Sequence, residues 1–497
     1  MPVEPIPFAN LQESGHEVLA GASPVAMNVV VDGKGSVLRR PGIAKYAGAP
    51  LFAGDVAPII DPNGLSGLYA TVAGDLFAVG ASGAERPVYK VTSGGAAAIG
   101  GGVPPNGLRG TSRPTFAETE LLLAIAGGDA LQKVVLPTTH FALSSSRVAG
   151  SPAPIASHVV SNNLRLLAND VSVDRTKVRF SDVASGDTSY AGNEVWSLGG
   201  VGTSGYFTAE ASPDPVVAVY GVQNEVMVFG SRTTQVFLPD SVLTYAPVAS
   251  IEVGMVAPYS FIKGDRETYW LDHQRRLVVS DRRSFQALSD PIQRTIDDMA
   301  TVSDCFGYRV ADGFLDVPVW SFPSDGRTFA YQKGIGWGQW SGWNDSTNNW
   351  APFSVTALAT PPDASVNVVA TSAGQIGELT LDAATDFGTR IVAYVETGYL
   401  NRKTESSKHC KSLRLVFRRG SAATTPGPHA FVAFRDREGP WSDPIPVDLG
   451  SSGDTSPTFR IHSLGTYQRR QWKFTFSDTA VALALVSAME EYEVLDQ

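Results

Sequence analysis

Short apolar runs alternate with turn residues along most of the chain, and few stretches hold a helical period for long. LYATVAGDLFAV, Leu68 to Val79, carries alternating apolar positions on either side of Ala73-Gly74-Asp75 and predicts a hairpin. The same pattern occurs in ELLLAIAGGDALQKVVL, Glu120 to Leu136, with its turn at Gly127-Gly128-Asp129, and in VVAVYGVQNEVMVFG, Val216 to Gly230, around Gln223-Asn224. Asp312 to Gln332 repeats it around Ser324-Asp325-Gly326, and Val366 to Leu381, VNVVATSAGQIGELTL, adds another. No crossover-helix pattern separates these hairpins, so the predicted class is all-β, as blades of a propeller or a stacked β-sandwich. The repeats are too weak to count blades.

The stretch YWLDHQRRLVVSDRRSFQALSDPIQRTIDDM, Tyr269 to Met299, fits the series. Strands are predicted over Glu267 to Leu271 and Arg275 to Ser280, with Asp272, His273, Gln274 and Arg275 as the turn and Asp272 and His273 as solvated turn residues. Ser289-Asp290-Pro291 then reads as a helix start. Ile292, Ile296 and Met299 share one face at helical spacing, with Arg294, Asp297 and Asp298 outward.

The texture changes at Asp382 to Gly388, DAATDFG. Seven strand-like runs follow, among them RIVAYVETGYL, SLRLVFRRGS and QWKFTFSD, linked by Gly-, Ser- and Pro-rich SAATTPGP and DLGSSGDTSPT. That strand density is the density of a β-sandwich. The expected organisation is an N-terminal segment, 1–45, packing on a propeller-like body of antiparallel hairpins, 46–384, followed by a C-terminal β-sandwich, 385–497.

Composition narrows the function. The 497 residues are 43% hydrophobic and 18% charged, enough for a large core and unlike a disordered chain. A formal net charge of −10 weighs against a protein that grips nucleic-acid phosphates, though not against a surface past which DNA moves. The two cysteines, Cys305 and Cys410, sit in strand-like contexts and read as small buried residues of a chain folding in a reducing compartment. The N-terminus lacks the basic and apolar regions of a signal peptide, and no window approaches the ~18 apolar residues of a spanning helix; the expectation is a soluble chain with no membrane-spanning segment.

Candidate chemistry is sparse. Asp272-His273 would need a nucleophile and an orienting partner for hydrolysis, and there is no G-x-S-x-G elbow. His409-Cys410 is adjacent rather than spaced, and neither H-x-x-x-H nor C-x-x-C occurs. GGAAAIGGG, Gly94 to Gly102, does not lie between a strand and a helix and reads as a flexible loop rather than a phosphate cradle. SFPSDGRTF, Ser321 to Phe329, resembles the Asp-box turn of sialidase-type propellers, a structural hairpin even where the fold is catalytic. Trp337, Trp340, Trp343 and Trp350 could stack on sugar rings, or be buried between blades or at a subunit contact, the reading preferred here. No catalytic, cofactor-binding or metal-ligating residue is predicted, and no cofactor.

Taken in order, the hairpins resemble the podovirus tail nozzle family, the packaged-DNA stabilisation proteins or tail accessory factors. Asn28 through Arg39-Arg40-Pro41-Gly42-Ile43 is similar to the family's opening, and LYATVAGDLFAVG and LAIAGGDALQKV to its paired hairpins. Phe207 to Glu210 with Ser212-Pro213-Asp214, then Val228-Phe229-Gly230 with Thr234 to Phe237, resembles its central run. Gly254 to Ser260, Tyr269-Trp270-Leu271 and Leu288-Ser289 complete the order. The likeness covers roughly 25 to 300 well and the last third loosely, and departs at the Trp-rich segment and the final sandwich.

The resemblance implies a non-enzymatic structural subunit of the virion tail, assembled in the host cytoplasm, six copies of which ring the tail axis. The partners it implies are its own copies, the portal-adaptor protein above, and a needle, fibre or tailspike below, with the C-terminal sandwich and the Trp segment as the expected contacts. Genomic double-stranded DNA passes through the lumen without sequence-specific binding and is retained until ejection. A lumen in which acidic and neutral polar loop residues outnumber Lys and Arg suits this, because every phosphate neutralised adds salt-dependent affinity; Arg275, Arg276, Arg282 and Arg283 are accordingly expected mostly at subunit contacts or on the outer wall. The alternative is a carbohydrate-binding or glycan-cleaving propeller, which would need two carboxylates ~5–10 Å apart in a pocket.

Overall fold

The computed structural model of the chain describes residues 2–6, 25–46, 58–99, 107–136, 143–144, 154–183, 191–196, 205–209, 214–240, 245–362, 366–419, 430–447, 456–477 and 483–495, apart from positions 84, 94, 121 and 173. Glu210, Ser212, Pro213 and the linker SAATTPGP lie outside the described residues, as do most of DLGSSGDTSPT and the end of the Gly-rich run.

Five separate four-stranded antiparallel sheets follow one another along the chain. Blade 1 runs from strand Leu65–Ala70 to Gly95–Ala98, blade 2 from Thr115–Thr119 to Leu143–Ser144, and blade 3 from Val159–Asn162 to Gly205–Thr208. Blade 4 runs from Val216–Val222 to Tyr245–Ile251 and blade 5 from Ile262–Lys263 to Phe285–Ala287. A sixth blade, Phe306–Asp312 to Gly336–Trp340, is likewise built from contiguous chain. The seventh is a three-stranded meander, Val355–Ala359, Asn367–Thr371 and Ile376–Thr380, completed at its outer edge by the N-terminal strand Gly42–Ala44.

These blades form a closed ring. First strands of adjacent blades touch around most of the ring, including those of blades 7 and 1, and Tyr69 on Phe116 and Tyr220 on Phe261 join blades 1 to 2 and 4 to 5, so the first strands form the inner wall. Between every pair of neighbours lies its own apolar cluster: Phe77, Val79, Leu123 and Ile125 between blades 1 and 2, Ala124, Leu166 and Ala168 between 2 and 3, Val178, Phe180 and Val228 between 3 and 4. Met227, Phe229, Trp270 and Val278 continue between 4 and 5, Leu271, Trp320 and Phe329 between 5 and 6, Val317, Trp340 and Val369 between 6 and 7, and Leu68, Leu76, Val368 and Ala370 between 7 and 1. Both faces of each sheet are thus covered, which is why the second strands read as unbroken apolar runs such as LLAIA and EVMVFG. Packing near the axis is tight: a Cβ on Gly307 would lie 2.5 Å from Ile262.

The predicted hairpins form at their predicted turns, with Gly74 and Gln223 at positive φ. Gly95–Ala98, expected as loop, is the outer strand of blade 1; an outermost strand needs only backbone pairing, which small residues satisfy. The helix begins with a 3₁₀ turn, Asp290–Ile292, and continues as Gln293–Asp298, and Ile292, Ile296 and Met299 are buried in the same core cluster as Trp320 and Trp337.

The last third of the chain forms two stacked sheets, and both recruit the N-terminal segment. Val25–Met27 pairs on one side with the outer strand of blade 6 and on the other with Ala393–Glu396, so one nine-stranded sheet runs from blade 6 into the sandwich. The facing seven-stranded sheet contains Val29–Val31 and Val37–Arg39 beside the long strands Leu483–Val494 and Lys408–Arg419, and Val3–Pro5 pairs with the former. Leu413, Phe417, Val432, Trp472 and Leu485 fill the space between. The N-terminal segment therefore does more than pack on the body: its strands are integral to blade 7 and to both layers of the sandwich.

Asn28 and Arg40 join these parts. Arg40, fully buried, forks onto Asp386 through Nη1 at 3.0 Å and Nη2 at 2.6 Å, donates to Ser341 O and Pro41 O, and stacks 4.4 Å over Phe353. Asn28, at φ 55°, accepts from Arg40 Nε and Ser341 N and donates to Val392 O. Gly42 follows because a Cβ there would sit 2.6 Å from Thr385 O.

Candidate functional site

Two sets of polar contacts organise the two rims of the ring. On one rim, the turn between the first and second strands of a blade meets the segment between the third and fourth strands of the next. Thr119 bonds Asn193 (blades 2 and 3), Asn162 accepts from Tyr245 (3 and 4), and Glu225 takes Arg282 and Arg283 at 2.7 and 2.5 Å (4 and 5). Glu267 takes Lys333 (5 and 6), and Asp312 accepts from Leu381 N (6 and 7). Lys133 adds a pair with Glu194 between blades 2 and 3. The series explains two of the predicted surface arginines: Arg282 and Arg283 fasten blade 5 to blade 4 within one chain.

On the opposite rim, acids leading into the first strands hold the turns between second and third strands. Asp214 accepts from the backbone N–H of Ser231, Arg232 and Thr233 and from Ser231 Oγ, contacts that outweigh burial and hold its carboxyl below the usual range. Asp304 similarly accepts from Ser324 N at the Asp-box-like turn, where Ser321 and Thr328 share a hydrogen bond and Gly326 has φ 69°.

Asp272 and His273 belong to this rim, and the expectation of two solvated residues is corrected for one of them. Asp272 is completely buried, accepting from Gln274 N, Arg276 N and Arg276 Nε. His273 is half-buried and its Nδ1 accepts from Gly254 N at 3.3 Å. Arg275 donates to Asp297 O and Met299 O at the end of the helix. Asp272 therefore serves to shape its hairpin, since a carboxylate accepting two backbone N–H groups in a turn replaces absent ladder bonds.

The tryptophans divide. Trp337 and Trp340 are buried in blade 6, whereas Trp343 and Trp350 pack edge to face at 5.1 Å in the hairpin Gly342–Asn344 and Asn349–Ala351, with Arg390 over Trp343. Only the second pair can meet a partner. Cys305 and Cys410 are free and buried. Among the described residues no group of three or more His, Cys, Asp and Glu is placed to hold a metal ion, and no helix is long and apolar enough to cross a membrane.

Acidic residues gather in a cleft of roughly 270 Å³ between blades 5 and 6, lined by Asp265, Glu267, Arg309, Asp316 and Lys333. Arg309 bonds Asp265 at 2.8 Å and Asp316 at 2.6 Å, and Lys333 bonds Glu267 at 2.7 Å; these cations hold the Asp265 and Glu267 carboxyls below their ordinary range. A general acid needs the reverse shift.

At the axis, residues leading into the first strands converge. His158 is fully buried, stacked on Tyr259 at 4.9 Å and edge-on to Tyr220. Its Nε2 and the Tyr220 hydroxyl both face Pro258 O, at 3.1 and 2.6 Å, and its Nδ1 faces Ser157 Oγ at 2.9 Å. The carbonyl makes Nε2 the protonated nitrogen and Nδ1 the acceptor. Burial pushes the imidazole down to about 4. Arg113 lies 3.7 Å over the Phe306 ring, and the charges of Arg113 and Arg86 both act on Tyr259. Sequence reading did not connect these residues: Tyr220 stood in a predicted strand, Tyr259 in the Gly254 to Ser260 run and the others in loop-like contexts, and only ring closure gathers them.

A closed ring of four-stranded blades, sealed by a strand from the N-terminus, defines a β-propeller protein. Residues 201–280 match the family described as "Bacteriophage P22 Gp10, beta-propeller", which supports a bacteriophage structural role. The matched stretch spans the outer strand of blade 3 through the third strand of blade 5. No curated protein matches the chain. A solved structure titled "Streptogramin B lyase structure" aligns with a TM-score of 0.40 at 8% identity, over 65% of this chain and 95% of that one.

Proposed function

We propose that this chain is a tail nozzle subunit: a non-enzymatic virion component whose copies ring the tail axis below the portal adaptor, retain packaged DNA and release it into the host. The observation that carries this reading is the match of residues 201–280 to a phage propeller family. Supporting it, Asn28, Arg40 and Gly42, the residues of the opening motif, form the junction between blade 7, the 6–7 connection and the sandwich. A motif that builds a joint of the fold marks a shared architecture rather than shared chemistry.

The ring requires head-to-tail contacts that close. Arg282 and Arg283 are engaged within the chain, so the subunit contacts fall to other surfaces, with the Trp343–Trp350 hairpin as the aromatic candidate. Acidic and neutral polar residues outnumber Lys and Arg along the lumen in this reading, since the chain is acidic overall. Imaging intact tails along their axis is expected to show six copies of this chain; a different number, or its absence from the tail, refutes the proposal. Release of reducing sugar from host polysaccharide by the purified chain, abolished by one Asp or Glu substitution, would replace it with a glycosidase.

A further inference from the structure

We infer that the mouth of the propeller axis is a binding site for a small oxyanion, held between the guanidinium groups of Arg86 and Arg113. Arg86 stands in the turn between the second and third strands of blade 1, and Arg113 leads into the first strand of blade 2. Gly127 O accepts from both Arg86 Nη2 and the N–H of Ser112, the residue before Arg113, and Tyr259, arriving from across the ring ahead of blade 5, hydrogen-bonds Ser112. Arg86 is 3% exposed; its Nη2 donates a long 3.4 Å bond to Gly127 O and its Nε has no partner. Arg113 rests on the Phe306 ring, with no hydrogen bond or ion pair to any described residue.

The charge balance points to a ligand. Groups facing the two arginines are Tyr259, Tyr220, Tyr308 and Cys305, and burial pushes each of these upward, so all are neutral at physiological pH. His158, pushed down, is neutral too. Two cations thus share an aromatic enclosure with no carboxylate bonded to either among the described residues, whereas Arg40, Arg179, Arg402 and Arg470, also deeply buried, each have one within 3 Å. Buried charges are ordinarily paired. An oxyanion supplies the missing charge and fits the planar fork of a guanidinium, with Ser112 and the Tyr259 hydroxyl alongside as neutral partners. Arg113 is only half-buried, which leaves a way in from the rim.

The test uses the full chain in chloride buffer at fixed ionic strength, titrated in separate arms with inorganic phosphate and with acetate and followed by calorimetry. One saturable site per chain is expected in at least one arm: both arms responding indicates any oxyanion, phosphate alone a tetrahedral one, acetate alone a carboxylate. Arg113→Met should weaken binding at least tenfold, and Arg266→Met, which removes the same charge from an exposed turn, should leave it unchanged. Should Arg113→Met fail to fold, Arg113→Lys keeps the charge but loses the fork and is expected to weaken binding several-fold. No binding in either arm, or binding untouched by both Arg113 variants, overturns the inference.

Discussion

Arg40→Met is expected to destabilise the chain by about 3–5 kcal/mol, the usual loss when one member of a buried ion pair is removed. The variant would strand the Asp386 carboxylate, whose side chain is 15% exposed, and leave Asn28 Oδ1, Ser341 O and Pro41 O short of a donor. Because Arg40 touches the 6–7 connection, the N-terminal segment and the start of the sandwich region at once, the loss should appear as one shared shift of the denaturation midpoint rather than early melting of a single part. Arg40→Met combined with Asp386→Leu should recover a large share, since replacing both members of a buried pair by apolar groups is often near neutral. A single variant within ~0.5 kcal/mol of the parent, measured by chemical denaturation, would show that the joint contributes nothing to stability.

How much of this was legible beforehand depends on whether the signal was local. Hairpins are local: alternation plus a turn residue at positive φ suffices, and Gly74, Gln223 and Gly326 sit where the pattern placed them. Strand number was partly legible, yet ring closure was not, because the strand that completes blade 7 is Gly42–Ala44, more than 300 positions away in sequence from Ile376–Thr380. The same non-local pairing hid the N-terminal contribution to the sandwich. Burial of Asp272 was misjudged for a related reason: an Asp in a turn is usually wet, and here the connection from blade 4 bridges to it at Met255 while Arg276 pairs with its carboxylate. Arg282 and Arg283 look like part of a surface cluster in sequence, but Glu225, their counter-charge, is supplied by the preceding blade. The axial cluster illustrates the limit most fully, since Arg86, Arg113, His158 and Tyr259 come from four separate blades or connections and meet only once the ring is closed.

Lowering the pH should expose the second large effect, centred on His158. An unfolded chain takes up a proton on this histidine near its ordinary 6.5, whereas the folded chain refuses it until about 4, because burial disfavours the imidazolium more than the Pro258 carbonyl favours it. Between those values the unfolded state binds more protons than the folded one, so stability rises with pH across the window and is lost as pH falls from 6.5 towards 4. The full swing corresponds to about 3 kcal/mol, at 1.36 kcal/mol for each unit of displacement. Asp214 acts in the same direction but at lower pH, its depressed carboxyl losing its contribution only as pH falls through its folded value. Between pH 4.5 and 6 Glu118 and Glu378, whose carboxyls burial pushes up, act in the opposite sense, but they do so in parent and variant alike, so comparison with a His158 variant isolates the histidine. His158→Gln keeps a donor for Pro258 O and cannot titrate, so its stability should vary less steeply with pH than the parent's, by up to about 1.4 kcal/mol per pH unit. Parallel slopes for the two proteins would mean that the buried imidazole is already protonated in the fold, and the acid sensitivity would then have to come from the carboxylates on the rims.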